Sequence, residues 1–187
     1  MKIKPLSRHP NAGFTLIEML VIVVLITIIA AIAAPSWLQF LTRQRLNIAQ
    51  SEAITAMREA QAKAKQQKRT WEVCFRDDGT KVLWSVHPVP ANSCTSVSIG
   101  AWNSLTGEDA DKITINTATS SFPGSPPGYY SVQFQEKGWV KASQTDNSQD
   151  IGKITFTPRN QPTGSKRCVM VSTLLGALRV GTNNECN

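Results

Sequence analysis

The sequence predicts an α+β chain, with one long N-terminal α-helix, transmembrane in its first half, packed on an antiparallel β-sheet head. Three observations carry that prediction. Phe14 to Ala34 is an apolar run of 21 residues with a single charge, Glu18. Beyond Pro35, small and apolar residues recur every three or four positions as far as Ala64. After Thr70 the pattern changes to alternation broken by turn residues, as strands require. The chain has 187 residues, enough for one medium domain with an appendage. We divide it into a leader (1–13), a helix (14–69, with 14–34 in the membrane) and a β-rich head (70–187).

Residues 1–13 are short, polar and basic, with Lys2, Lys4 and Arg8. The run that follows spans roughly 31 Å as a helix, close to the hydrocarbon thickness of a bilayer. The basic leader favours a cytoplasmic N-terminus. The net charge of +7 belongs to this appendage and to the helix, because residues 71–187 carry ten basic and ten acidic side chains. A claim of nucleic-acid binding from overall charge would therefore rest on the wrong residues.

Two readings of the apolar run compete. In one it is an ordinary secretory signal, cut near Ala31-Ile32-Ala33. In the other the cut falls between Gly13 and Phe14 and the helix stays. Glu18 separates them, since a carboxylate among apolar residues costs a few kcal/mol on insertion and marks a functional position. A new α-amine at Phe14 would lie one helical turn from Glu18. A neighbouring copy could then offer the matching charge and fix axial register.

Gly13-Phe14-Thr15-Leu16-Ile17-Glu18, between a basic leader and a long apolar helix, resembles the type III signal of type IV pilins and pseudopilins. The resemblance implies a pilin-like fold, cleavage after Gly13 by prepilin peptidase and N-methylation of Phe14. It implies that Glu18 guides assembly, and Pro35 matches a proline that many members carry, 21 residues beyond the new N-terminus. It also implies a single-pass inner-membrane protein with a periplasmic head, extracted into a filament by an inner-membrane assembly platform.

Pro35 lacks an N–H and crowds the preceding turn, so a kink or local melting is expected there. Helical patterning then resumes through Leu46, Ala49, Ala53, Ala56, Ala60 and Ala64, with Met57 beside them, and this stripe reads as the face packed on the head. Lys63, Lys65, Lys68 and Arg69 crowd the helix end, where cations suit the helix dipole.

In the head, Trp71, Val73 and Phe75 and then Val82, Trp84 and Val86 alternate around Asp78-Gly79, a β-hairpin signal. Ile113–Ile115 is a short strand and Ser120 to Gly128 a loop. Tyr129–Gln135 and Trp139–Ser143 form a hairpin around Glu136-Lys137-Gly138, and Ile151–Thr157 is a strand. Cys168–Thr173 and Ala177–Gly181 form the last hairpin, around Leu175-Gly176.

Cys74, Cys94, Cys168 and Cys186 all lie in the head, and an even number in a translocated domain reads as two disulfides. Three connectivities are open; 74–94 with 168–186 is preferred, because each closes a local loop. No metal is expected, with His9 in the leader and His87 far from it. Glu108, Asp109 and Asp111 lack the spacing of a calcium loop and read as a solvated turn. No hydrolase elbow, P-loop or dinucleotide fingerprint is present, so neither an enzyme nor a cofactor is expected.

One local excess of charge stands out. Lys153, Arg159, Lys166, Arg167 and Arg179 occur between Ile151 and Asn184 without an acidic residue. Sharing a face they would form an anion site, and otherwise they are solvated charges that keep strand edges from mispairing. The closing segment, Cys168 to Ser172 and then Gly176 to Val180, resembles the end of the GspH/FimT-type pseudopilin domain. Members linked to DNA uptake carry Gly-Arg-x-Arg there; Gly176-Ala177-Leu178-Arg179 keeps the glycine and the last arginine only. The expected function is a minor pilin-like subunit of a type IV pilus, partnered by other pilins. The alternatives are a minor pseudopilin of type II secretion and a DNA-binding minor pilin for DNA uptake.

Overall fold

The computed structural model describes residues 13–89, 94–96, 101–123, 128–141, 151–161 and 163–187, without the side chains of residues 34, 35 and 96. Most of the leader, with His9, lies outside these residues. Two compact units result, one ending at Phe40 and one running from Leu41 to Asn187.

A single helix, α1 (Leu16–Gln67), supplies the N-terminal element, and its helical assignment continues through Pro35. Its start is chemically marked. The Thr15 hydroxyl accepts the backbone N–H of Glu18 at 3.2 Å, satisfying one of the donors that a helix N-terminus leaves unpaired. After Gln67 the chain turns at Lys68, whose φ of 49° is left-handed, a common way to stop a helix.

Among the described residues the head holds eight strands in two antiparallel sheets. The first has the order β3-β2-β1-β5, built from β1 (Trp71–Asp77), β2 (Val82–Pro88), β3 (Asn103–Ser104) and β5 (Tyr129–Phe134). The second has the order β4-β6-β7-β8, built from β4 (Ile113–Ile115), β6 (Gly152–Pro158), β7 (Arg167–Val171) and β8 (Leu178–Thr182). The β1–β2 hairpin forms as expected. Asp78 Oδ1 closes its turn, accepting the N–H groups of Thr80 and Lys81 at 2.9 and 2.8 Å. Burial pushes the Asp78 carboxyl up, yet these bonds and the Thr80 hydroxyl together hold it below its ordinary range.

The middle hairpin forms but its return is shorter than expected. Its first strand is β5; the Gln135 N–H donates to the Trp139 carbonyl at 2.7 Å and the Lys141 N–H to that of Gln133 at 3.0 Å, but the return is a single bridge, Phe134 to Val140, rather than a strand. The Val140 N–H turns away to the Leu174 carbonyl at 2.8 Å, and β5 takes β1 as its strand partner. Residues 142–143, the end of the expected return strand, lie outside the described residues. Glu108, Asp109 and Asp111 sit in a 3₁₀ turn, Gly107–Lys112, where Asp109 meets Arg45 of α1 at 3.1 Å.

The helix–sheet core follows the sequence pattern. Leu46, Ala49, Ala53, Ala56, Met57, Ala60 and Ala64 are all buried. They share one core with Val73, Phe75, Phe134, Ile154, Phe156, Val169 and Val171 from both sheets. Phe75 and Phe156 meet edge-on at 6.4 Å and join the sheets. An alanine stripe lets a helix lie close to a sheet, which makes the seam intolerant of bulk. Ala53→Leu is expected to destabilise the head by about 1–3 kcal/mol through overpacking, read as a lower urea midpoint at unchanged slope.

Both disulfides join the preferred pairs, Cys74–Cys94 and Cys168–Cys186.

Candidate functional site

The N-terminal part of α1 presents apolar side chains on every face. Phe14, Leu16, Ile17, Leu20, Val24, Ile28 and Ile32 are among those exposed, and Trp37 and Phe40 extend the surface past Pro35, 5.6 Å apart. A helix apolar all round is not a surface helix of a globular domain and needs lipid or other helices around it. The few polar side chains obey that need. Thr27 donates its hydroxyl to the Val24 carbonyl at 2.8 Å, and Ser36 to Ala33 at 2.9 Å. The Glu18 carboxylate is different, with neither a hydrogen bond nor an ion pair among the described residues. Gly13 and Phe14 precede the helix in exposed, irregular chain, so the bond between them is open to a protease.

Glu18 also occupies the third position of α1, where a negative charge complements the helix dipole. Thr15-Leu16-Ile17-Glu18 has the spacing of a capping box, of which the structure forms only the Thr15 half; sequence reasoning missed that cap.

The five cations of the closing region do not share a face. Cross-strand partners lie on the same side of a sheet. Arg167 pairs with Phe156 of the core; it sits on that side and its Nε donates to Asn47 Oδ1 of α1 at 2.7 Å. Lys153 pairs with Met170, and Met170 with Arg179, on the opposite side. Lys153 and Lys166 both donate to Asn187, to its backbone oxygen at 2.5 Å and its Oδ1 at 2.6 Å. Arg159 is a strut between the sheets. Its Nη2 donates to Asp77 Oδ1 and Oδ2 at 2.9 and 3.0 Å and to the Ile113 carbonyl at 2.8 Å. Its Nη1 and Nε reach the carbonyls of Gly79 and Asp111, each at 3.1 Å. Arg179 alone of the five is exposed with no partner among the described residues.

The basic end of α1 is more engaged than a solvated terminus. Lys63 and Arg69 lie over the Trp71 ring at 4.9 and 5.6 Å. Two glutamines with no role in the sequence reading hold the head to the helix. Gln50 Nε2 donates to the carbonyls of Cys168 and Gly181, both at 2.8 Å. Gln61 Nε2 donates to those of Gly138 and Gly176, at 2.9 and 3.3 Å. Each lies beside a buried alanine, and the spacing of 11 residues repeats one helix face after about three turns. That spacing was a usable signal.

Glu72, Cys74 and His87 bring potential metal-ligand atoms within 4.8 Å of one another. Cys74 Sγ is committed to its disulfide, so the oxidised chain offers no thiolate there.

Residues 8–34 match the model of the prokaryotic N-terminal methylation motif. No curated protein matches the chain in sequence. Among solved structures, the type IV minor pilin FimU of Pseudomonas aeruginosa superimposes with a TM-score of 0.51 at 17% identity, covering 79% of this chain and 99% of FimU. The minor pseudopilin EpsH from the Type 2 Secretion System of Vibrio cholerae gives a TM-score of 0.48 at 11% identity, covering 73% and 96%. At these identities the likeness to FimU is one of fold.

Proposed function

We propose that this type IV pilin-like chain, so described by its N-terminal motif and its fold, is a minor structural subunit of a type IV pilus. In this reading prepilin peptidase removes residues 1–13 and methylates Phe14. The apolar helix holds the subunit in the inner membrane, with the head in the periplasm, until the assembly platform transfers it to a filament. Neighbouring pilins then replace lipid around the helix, and Glu18 meets the Phe14 amine of another subunit. Pro35, which withholds one donor from the helical ladder, is the point where the helix bends to fit its neighbours. The head is a surface module without catalysis.

The observation that carries this reading is an exposed, all-round apolar helix whose one charged side chain between Phe14 and Ala34, Glu18, has no partner among the described residues and lies five residues into the chain left by a cut after Gly13. Lipid alone would select against that carboxylate. An assembly of identical helices gives it a partner. The same reasoning serves a pseudopilus of type II secretion, and the two are told apart by what a deletion strain loses, surface pili or secreted protein.

DNA capture by the head keeps only Lys153, Lys166 and Arg179 of its five cations, and two of these are already bonded to Asn187. We do not propose it.

Mass spectrometry of the protein from its own cells is expected to find a chain beginning at N-methylated Phe14. A chain beginning near Ala34 would remove the helix and the filament with it.

A further inference from the structure

The surface of the first sheet that faces away from α1 carries an unusual set of buried polar side chains. Glu72 and Cys74 stand two residues apart on β1, on one face, and His87 of β2 lies directly opposite Glu72. Glu72 is fully buried and His87 nearly so, with side-chain exposures of 0% and 14%. His87 Nδ1 lies 3.1 Å from the Pro88 carbonyl oxygen. A carbonyl only accepts, so Nδ1 carries a proton and Nε2 is the ring nitrogen turned inward, toward Glu72 and Cys74. Nε2 is 3.3 Å from Cys74 Sγ and 4.0 Å from Glu72 Oε2. Gln133 Nε2 donates to Glu72 Oε1 at 3.2 Å and fixes the carboxylate.

This is the arrangement of a ligand set with its outer shell in place. Histidine ligands characteristically donate the second ring N–H to a carbonyl, and ligating carboxylates are themselves hydrogen-bonded. A tetrahedral zinc ion, with bonds of about 2.0–2.3 Å, sets its ligand atoms roughly 3.3–3.8 Å apart. The contacts of Nε2 fall close to that range. One sulfur is tied up, and its disulfide partner, Cys94, brings a fourth donor to the same place.

We propose that the reduced head binds one divalent zinc-class ion through Cys74, Cys94, His87 and Glu72, and that metal and disulfide are mutually exclusive occupants of this site. Three ligands come from adjacent strands. Cys94 sits on a three-residue 3₁₀ turn outside the sheets, so it is the sulfur able to move when the S–S bond opens. The site exists on the chain before oxidation, when metal would hold the two thiolates together and delay the disulfide. The Cys168–Cys186 pair has no such neighbours among the described residues and would form regardless. The proposal does not depend on the filament reading.

The test uses the full chain in detergent, reduced by a trialkylphosphine. Water supplies the oxygen of the phosphine oxide formed, and each disulfide takes two electrons and two protons to become two thiols. Metal binding then releases the protons of Cys74 and Cys94. Titration with Co²⁺ is expected to give one equivalent bound, with thiolate-to-cobalt absorption that Zn²⁺ bleaches; the oxidised chain should show none. His87→Ala should weaken binding by more than the roughly 10–100-fold that loss of an outer-shell partner costs. A second measurement needs no variant. Zn²⁺ should protect Cys74 and Cys94 of the reduced chain from alkylation and slow their air oxidation, leaving Cys168 and Cys186 labelled at the metal-free rate. Absence of cobalt absorption, or equal protection of all four cysteines, would overturn the proposal.

Discussion

Glu18→Ala is expected to leave cleavage after Gly13 intact and to lower the subunit's share of sheared filaments at least about tenfold, relative to its amount in the membrane. The size follows from the competing costs. Within its own helix Glu18 contributes only a dipole interaction of about 0.3–1 kcal/mol, and the bond from its backbone N–H to Thr15 survives the substitution. Between subunits, a carboxylate about 4 Å from an ammonium is worth about 4 kcal/mol at an effective dielectric constant near 20. Desolvation cancels part of this. A remainder of about 1.4 kcal/mol already gives the tenfold change.

Two further variants separate charge from capping. Glu18→Gln keeps the size of the side chain and loses only the charge, so it should behave like the alanine. Thr15→Ala removes the hydroxyl cap, keeps the charge, and should cost the helix start about 1 kcal/mol with little effect on incorporation. Immunoblots of filament and membrane fractions measure all three. Wild-type filament levels of Glu18→Ala would refute the charge pair.

What was legible in the sequence was what neighbouring residues decide among themselves. The alanine stripe from Ala49 to Ala64 is a period along one helix, and every member is buried. The β1–β2 turn is written in Asp78, whose carboxylate serves N–H groups two and three residues away. The N-terminal methylation motif, matched over residues 8–34, is a local signal as well. Features set by distant partners were not legible. Arg159 looked like a member of a basic patch because its partner Asp77 is 82 residues away. The partners of Gln50 could not be named from the sequence, because the carbonyls it holds lie 118 and 131 residues on. Strand β3 has two residues, too few to show any alternation. The patch itself failed for a topological reason. Counting charges along β6, β7 and β8 takes no account of which side of the sheet each one takes.

Gly176→Ala is expected to destabilise the head by about 2–4 kcal/mol. It looks minor, one methyl in a loop, but three costs fall on the same atom. The backbone φ is +80°, where an alanine pays roughly 1–2 kcal/mol that glycine does not. The new Cβ would lie 2.5 Å from Gln61 Nε2 and 2.7 Å from the Gly138 carbonyl oxygen. The amide could swing away, but the carbonyl is backbone and cannot yield cheaply. A displaced Gln61 then leaves the carbonyls of Gly138 and Gly176 without their donor, at about 1–3 kcal/mol where burial is complete and less here, since the site is only partly buried. Gln61→Ala isolates that last component and leaves room for the methyl. If the reasoning holds, the double variant Gln61→Ala with Gly176→Ala is more stable than the sum of the two single losses predicts, because the methyl and the amide no longer compete for one space. Strict additivity in urea unfolding would mean that the glycine is required only for its backbone angle and that the Gln61 contact with the closing hairpin carries no weight.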